Sequence, residues 1–337
     1  MFGLDAFLAK EKYSVGLNLG ISSVKAVKLK ITKETAELVG FCLERTQLEM
    51  DAVLKSISQK LNTRRVNISV SGQQALIRYI DFPKMSLADL KQAIKFEAQK
   101  HIPFPVNDVV IDAVILRDLP DNKMKVLLAA VKKDFLNQRL KILHDAGLEV
   151  DVVDIDSLAL INAFEYSYSQ DPAYKAKTIA LLNIGSATSN LSIVDDGLPA
   201  LSRDISIGGN NITQRIADGL GLEFKQAEEL KISAEPQKKE HIQRLIEPVL
   251  TKLAQEIRTS CDYYESRSIT SVERVLLSGG ASRYPGFDKM LENYLSLPVE
   301  YWDPFRKILI AENLDPEKLK LISGQLAVAV GLALRTS

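Results

Sequence analysis

Cysteine is scarce in this sequence, and long apolar runs and an excess of charge of one sign are missing. Cys42 and Cys261 are the only thiols in 337 residues, too few for a disulfide framework or a zinc site. Lys plus Arg and Asp plus Glu both number 43, so net charge does not favour a nucleic-acid or anionic-membrane surface. No apolar run reaches the roughly 18 residues of a membrane span, and the N-terminus lacks signal-peptide features. We therefore expect a protein of a reducing compartment.

The composition that remains is ordinary for a globular protein, with 46% hydrophobic and 26% charged residues. A chain of this length is sufficient for two lobes, each with its own core. The spacing of apolar residues along the sequence predicts interleaved strands and helices, so we expect an α/β fold.

Two segments about half a chain apart share one pattern, VGLNLGISSVKAVKL at 15–29 and ALLNIGSATSNLSIV at 180–194. Each has an apolar strand, Asn, an apolar residue, Gly, a Ser/Thr-rich stretch and a second apolar strand. This pattern predicts two β-hairpins with small-residue turns. Two such hairpins indicate a duplicated fold with pseudo-two-fold symmetry. The alternative is two unrelated hairpins of an ordinary α/β protein.

The elements between and after these hairpins predict four parts. Strand and helix patterns fall at 66–81 (paired strands), 87–101 (helix), 109–116 and 125–131 (strands), 133–146 (helix), 150–166 (strand and helix), 225–232 and 239–267 (helices), 274–277 (strand) and 323–334 (helix). We expect a core of lobe 1 at 1–84 and 151–174, an inserted subdomain at 85–150, a core of lobe 2 at 175–210 and 268–337, and a helical subdomain at 211–267.

The two hairpin turns are candidate phosphate sites. Turns of small residues expose backbone N–H groups, whose oriented dipoles favour anions. Ser22 and Ser23 in the first turn, and Ser186 and Thr188 in the second, add hydroxyl donors. Two facing turns can hold a polyphosphate from both sides, although each turn alone is equally explained as a plain hairpin.

Two further motifs have both a functional and a structural interpretation. In LLSGGASRYPGF at 276–287, a strand ends in Gly279–Gly280, which lets a flat ring approach the backbone. Otherwise this segment is a plain strand–helix turn. In QAEELK at 226–231, Glu228 and Lys231 lie three apart on one helical face. Such a pair is otherwise a solvated surface bridge.

Two phosphate hairpins, an A-E-x-x-K helix and a final strand–Gly–Gly–helix resemble the actin/Hsp70/FtsA superfamily over essentially the whole chain. More narrowly, GLDAFLAKEKYSVGLNLGISSVKAVKL at 3–29, FEAQKHIPFPVNDVVID at 96–112 and GLEVDVVDIDSLALINAF at 147–164 resemble the PilM family, cytoplasmic actin-like components of type IV pilus machines. The resemblance implies an actin-like, ribonuclease-H-like duplicated fold. Two lobes then enclose a nucleotide cleft, and an FtsA-type subdomain is inserted in lobe 1.

The resemblance also implies where ATP or ADP is held. The phosphate contacts that it implies are Asn18, Gly20, Ser22, Ser23, Lys25, Asn183, Gly185, Ser186 and Thr188. It implies that Glu228 and Lys231 contact the sugar, and that the adenine lies beside Gly279, Gly280 and Ala281.

The partners that the resemblance implies are the N-terminal tail of a PilN-like inner-membrane protein and other pilus-assembly components. Family members bind that tail in a groove of lobe 1 beside the inserted subdomain. The implied location is therefore cytoplasmic, at the inner face of the inner membrane through a partner. Self-assembly is left open.

The sequence departs from the superfamily at both phosphate motifs, where ATPases typically have Asp. Asn18 and Asn183 offer Mg²⁺ only neutral carbonyl oxygens, so we expect weak metal contact, through water, at these two positions. Their amides also cannot act as a base for the attacking water, so we expect little or no hydrolysis. Asp154 is our candidate catalytic carboxylate, and Asp156 lies nearby.

Two other functions are compatible with this fold. A sugar or acyl kinase needs a catalytic Asp facing the γ-phosphate. Asp154 and Asp156 are the candidates for that Asp, but both are equally explained as residues at a helix N-terminus.

A filament scaffold of the FtsA kind usually ends in an amphipathic membrane helix after a linker. This sequence stops at Ser337, directly after its last predicted helix, which disfavours direct anchoring.

Overall fold

Three β-sheets, of six, five and three strands, organise the protein. The structure, a computed structural model, describes residues 12–46, 49–233 and 239–335. The expectations about the N-terminal segment therefore lie outside the described residues. Within the described part, no helix is both long enough and apolar enough to cross a membrane.

The strands, in chain order, are β1 (Lys12–Leu19), β2 (Ser23–Ile31), β3 (Ala36–Arg45), β4 (Arg65–Val70), β5 (Ala75–Pro83), β6 (Val109–Leu119), β7 (Lys123–Lys132), β8 (Glu149–Ile155), β9 (Thr178–Ile184), β10 (Ser189–Asp195), β11 (Leu198–Ile205), β12 (Arg274–Ser278), β13 (Val299–Tyr301) and β14 (Leu309–Ile310). The helices are α1 (Met50–Lys60), α2 (Leu87–Ala98), α3 (Lys133–Asp145), α4 (Asp156–Tyr168), α5 (Gly209–Leu220), α6 (Phe224–Ser233), α7 (Lys239–Glu265), α8 (Phe287–Leu295), α9 (Pro316–Ile322) and α10 (Ala327–Ala333).

The two larger sheets share one topology. Their strand orders are β14-β3-β2-β1-β4-β8 and β11-β10-β9-β12-β13. In each sheet, the first strand of the hairpin, β1 or β9, pairs antiparallel with the second strand of its hairpin on one side. On its other side it pairs parallel with a later strand, which itself pairs parallel with one more. β1 therefore corresponds to β9, and β4 to β12. The predicted duplication is confirmed, and each predicted hairpin lies at the centre of its lobe.

The core between the two sheets is built on α4 and α10. In this core, Val27 and Leu29 of β2 and Ile179 and Leu181 of β9 belong to one apolar cluster. The Gly/Ala-rich α10 packs so closely that a Cβ on Gly331 would overlap the main chain of α4. β9 is covered on both faces, and its residues 179–182 are accordingly an unbroken apolar run, as in other buried strands.

The three-stranded sheet has the order β5-β7-β6, and α2 covers one of its faces. The prediction that 66–81 forms paired strands was wrong. β4 runs between β1 and β8, and the chain then turns at Gly72, whose φ is +81°, into a different sheet. The turn residues are correctly located, but the hydrophobic pattern alone does not specify which strands pair.

The three-stranded sheet overlaps the predicted insert at 85–150. It begins at Ala75 and ends at Lys132. α3 lies within the predicted range, but its Leu143 packs into the core of lobe 1. The four-part division stays a prediction.

Candidate functional site

Asn18 and Asn183 lie at equivalent ends of the two central strands, β1 and β9. Asn18 Nδ2 donates to Asp156 Oδ1 at the start of α4, at 3.3 Å. Asn183 Nδ2 donates to Asn190 Oδ1 at 3.2 Å. Each asparagine therefore uses its amide donor to fix a neighbouring polar side chain, which an aspartate cannot do.

A series of polar contacts leads from one hairpin to the other. Asn190 Nδ2 donates to Asp204 Oδ1 on β11, and the other Asp204 oxygen accepts from the Gly72 N–H of lobe 1, both at 2.6 Å. Burial raises the pKa of Asp156, the nearby Asp204 carboxylate raises it further, and Lys25 opposes them. These contacts connect the second hairpin to lobe 1 and bring Asp204 near Asp156, which lies beside the first hairpin. We refer to the region between the two hairpin turns as the cleft.

Lys25 places its ammonium inside the first hairpin turn. Its Nζ donates to Ser23 O at 3.2 Å, and it lies 2.7 Å from where a Cβ on Gly20 would be. Burial lowers the pKa of Lys25, while Asp156 acts in the opposite direction. Because residue 20 is glycine, the turn has room for the Lys25 ammonium, next to the exposed Ser22 and the buried Ser23.

The second turn is closed by the Gly185 N–H, which donates to Thr188 O at 2.9 Å. α5 begins directly against this turn, because Gly209 N donates to Gly185 O at 2.9 Å and Asn210 N donates to Ser186 O at 2.7 Å. A Cβ on Gly208 would lie 2.7 Å from Ser186 O, so a larger residue would separate the helix from the turn.

Free backbone donors remain in both turns. Among the described residues, no hydrogen bond is made by the main-chain N–H groups of Ile21, Ser22, Ser186 and Ala187. Clustered N–H groups of this kind form concave sites for anions. Together with the Lys25 ammonium, they make the cleft suitable for a polyphosphate.

Glu228 and Lys231 of α6 do not form a solvated surface bridge. Lys231 is 7% exposed, and its Nζ donates to Glu228 Oε2 at 2.6 Å and to Thr213 Oγ1 of α5 at 2.8 Å. Burial lowers the pKa of Lys231, and the Glu228 carboxylate opposes that shift. The pair holds α6 against the start of α5, beside the second turn.

The Gly279–Gly280 turn lies against the end of β9 and the start of α5, next to the second hairpin turn. Gly279 has φ +92°, and a Cβ there would overlap the Ile184 main chain at the end of β9, so packing alone requires this glycine. Gly280 is exposed, and the Ala281 Cβ lies 2.8 Å from where a Cβ on Gly209 would be. The loop therefore borders the cleft, and contact with an adenine stays a prediction.

Asp154, the predicted catalytic carboxylate, lies among protein groups, and its catalytic role stays a prediction. Asp154 is 5% exposed, and its oxygens accept from Ile155 N at 2.8 Å and lie 3.3 Å from Arg335 Nε. Burial raises its pKa, with Arg335 opposing. Asp156, two residues on, is the carboxylate at the cleft, because the turn into α4 directs it towards Asn18.

Sequence reasoning missed Asn190 and Asp204. Asn190 follows Asn183 by the same spacing as Lys25 follows Asn18, so the alignment of the two hairpins was a signal that could have identified it. Asp204 belongs to no motif, because its role arises only when β11 meets the Gly72 loop.

Ligands for a divalent cation are sparse. Within residues 12–46, 49–233 and 239–335, no three His, Cys, Asp or Glu side chains form a metal-binding group. Asn18 Oδ1 lies 3.9 Å from where a Cβ on Gly20 would be, facing the first turn, whereas Asn183 Oδ1 accepts from Ser278 Oγ at 3.3 Å. Of the two predicted water-mediated positions, Asn18 fits a hydrated cation better.

Comparison with known proteins agrees with this geometry. Residues 16–337 match the family described as type IV pilus assembly protein PilM. The chain belongs to the PilM family. A solved structure of a PilM-PilN type IV pilus biogenesis complex is 27% identical, with a TM-score of 0.84, over 96% of this chain and 98% of that one.

More distant proteins are similar to this PilM-family chain in fold or over part of its length. The ethanolamine utilization protein EutJ from Carboxydothermus hydrogenoformans is 14% identical with a TM-score of 0.57, over 96% of this chain and 89% of that chain, which shows the fold alone. The cell division protein FtsA of Bacillus subtilis (strain 168) is 20% identical over 256 residues, 64% of this chain and 57% of that protein. The chain thus spans little more than half the length of this curated relative. The actin-like α/β fold predicted from the sequence is confirmed.

Proposed function

We propose that this protein binds ATP or ADP between its lobes and, on lobe 1, binds the N-terminal cytoplasmic tail of a PilN-like inner-membrane protein in type IV pilus assembly. The observation that carries the nucleotide part is the convergence of two small-residue turns and the Lys25 ammonium on one cleft. Membership of the PilM family and the similarity to the PilM chain of a PilM–PilN complex support the choice of partner.

In this proposal the free N–H groups of both turns bind the phosphate oxygens, and Lys25 supplies the positive charge. Asn18 and Asp156 are the residues that would hold a hydrated Mg²⁺, which offsets phosphate charge when bound. Glu228 and Lys231 contact the sugar, and Gly280 and Ala281 lie beside the base. Each of these residues already lies beside one of the two hairpin turns, as the contacts described above show.

We propose that turnover of the nucleotide is slow. Neither Asn18 nor Asn183 can accept a proton, and the Asp156 carboxylate already accepts a hydrogen bond from Asn18. Measured steady-state phosphate release far below the order of 1 per second, a rate common among enzymes, would support the proposal. Release at or above that rate would contradict the proposal.

The tail groove is proposed where β6 passes beside α3. Val110 and Val114 of β6 are 46% and 52% exposed, and they pair with Val131 and Leu127, whose apolar face packs on α3. Ile142 of α3 is also 43% exposed. Exposed apolar side chains around a shallow groove are typical of peptide-binding surfaces.

The experiment is calorimetric titration of the chain with a synthetic tail of its PilN-like partner. Val114→Asp should weaken tail binding by about tenfold or more, because it places a charge against apolar side chains. Leu321→Asp is the matched control, since Leu321 is 63% exposed on α9 and lies outside the groove. Equal affinity of both variants would overturn the assignment of this groove.

A further inference from the structure

A cavity of ≈ 530 Å³ lies outside the nucleotide cleft, where the three-stranded sheet, β11 and the C-terminal half of α7 meet. Residues of β5, β6 and β7 form one wall, and residues of β10, β11 and α7 form the other. The two walls therefore belong to different lobes. The volume falls within the range of clefts that bind ligands.

Tyrosine and arginine supply much of the wall, including Tyr79, Tyr263, Arg117 and Arg267. Tyr263 is 52% exposed, and the Arg267 guanidinium lies 4.5 Å from the centre of its ring. These two residue types are enriched at the energetic centres of protein interfaces. The composition therefore favours a protein ligand over a small metabolite.

Three of the five cationic side chains in the cavity wall have no carboxylate partner among the described residues. Lys125 pairs with Asp81 and Arg203 with Glu256, whereas Arg78 donates only to main-chain carbonyls, and Arg117 and Arg267 have no ion pair. Asp195 is the acidic residue of the wall, and its Oδ1 accepts from the hydroxyls of Thr178 and Thr270 at 2.9 and 3.3 Å. The cavity thus presents net positive charge to a ligand.

A register shift in β6 explains how Arg117 reaches the cavity. The pairing of β6 with β7 is irregular between Ile115 and Arg117, so Leu116 is an extra residue on β6. Such a bulge redirects the side chains next to it. As a result, both Leu116 and Arg117 line the cavity.

The cavity also follows the edge of a sheet. Six consecutive residues of β11, Leu198–Arg203, line it. Successive side chains of a strand alternate between its faces, so an unbroken run means that the cavity lies along the strand's edge. β11 is the outermost strand of its sheet, and an edge presents backbone groups that an extended chain can pair with, except at Pro199.

We propose that this cavity binds an extended acidic segment of a partner protein, with a carboxylate between Arg117 and Arg267 and its backbone along β11. The site is separate from the tail groove, since neither Val110 nor Val114 lines it. This proposal does not depend on the proposals for nucleotide binding and tail binding.

The test uses the full chain and two fluorescent peptides as long as β11, one alternating valine with glutamate and one alternating valine with lysine. Fluorescence anisotropy should detect the acidic peptide and not the basic one. Replacing Arg117 and Arg267 together by glutamate should weaken the acidic peptide by about tenfold or more and allow the basic peptide to bind. Arg64→Glu, at an exposed arginine before β4, is the matched control and should behave as wild type.

Hydrogen exchange gives a second readout, in which the acidic peptide should protect the amides of β11. Thermal unfolding of the double variant checks that it is folded. The proposal is overturned by absence of binding at about 1 mM peptide, by equal acidic-peptide affinity in the double variant, or by protection confined to other strands.

Discussion

At the scale of single residues, the first hairpin places an amide, Asn18, next to the carboxylate of Asp156. Asn18 donates to Asp156, so the two side chains attract each other without a cation. An aspartate at position 18 would instead place two carboxylates about one hydrogen bond apart, which raises the pKa of one of them and destabilises the pair. Asn18 thus stabilises the Asp156 side chain without a cation.

We expect Asn18→Asp to make stability depend on divalent cations. Without Mg²⁺ the variant should unfold at lower temperature than wild type, with a loss of about 1 kcal/mol, because like charges repel at the cleft floor. Added Mg²⁺ should restore most of that loss in the variant and change wild type little. Thermal unfolding with and without Mg²⁺ measures this, and an identical response of both proteins would contradict it.

Asp154 gives a prediction about pH. Because burial raises its pKa in the folded chain, the stability associated with its protonated form is present at acid pH and is lost as pH rises through the folded-state pKa. Asp154→Asn stays neutral, so its stability relative to wild type should increase between about pH 4 and pH 7. Urea unfolding across that range measures the difference. A difference independent of pH would show that Arg335 fully compensates the buried charge.

At the scale of elements, the sequence predicts local structure well and distant pairing poorly. The hairpins, α3 and α6 lie within three residues of their predicted bounds, because their signals are periodic and local. The prediction that 66–81 forms paired strands failed at a contact distant in sequence, because β5 pairs with β7 and not with β4. Asp204 was missed for the same reason, since Gly72 is its partner.

The close packing of α10 gives a prediction at this scale. Gly331→Ala should destabilise the fold by about 3 kcal/mol, because the added methyl group would overlap the Ala159 carbonyl of α4 and force the helices apart. Gly324→Ala is the matched control, since a Cβ there would meet its nearest neighbour, Ser278 Cα, at an ordinary 3.9 Å. Chemical unfolding compares the two. Equal stability of both variants would contradict this account of helix packing.

At the scale of the whole molecule, hydrogen bonds from Gly72 and from Tyr79 of β5 reach β11 of lobe 2. Asp204 accepts from the Gly72 N–H, and Tyr79 OH of β5 lies 2.9 Å from Ser202 Oγ of β11. β5 is hydrogen-bonded through β7 to β6, which carries the proposed tail groove. A change in the angle between the lobes therefore reaches that groove through a continuous sheet.

We expect ATP to change the affinity for the tail peptide, because a nucleotide that favours closed lobes shifts the population of groove conformations. Asp204→Ala, which removes the bonds to Gly72 and Asn190, should reduce that change. Calorimetric titration of the tail with and without ATP measures the coupling in both proteins. Equal tail affinity in wild type under both conditions would contradict it.

The central claim is that one triphosphate is held by both hairpin turns. A crystal of the chain soaked with ATP tests it most directly. We predict phosphate oxygens within hydrogen-bonding distance of main-chain N–H groups in the Gly20–Ser22 turn and in the Gly185–Ala187 turn, with Lys25 Nζ beside them. Phosphates that contact only one turn, or nucleotide bound elsewhere on the molecule, would contradict the account.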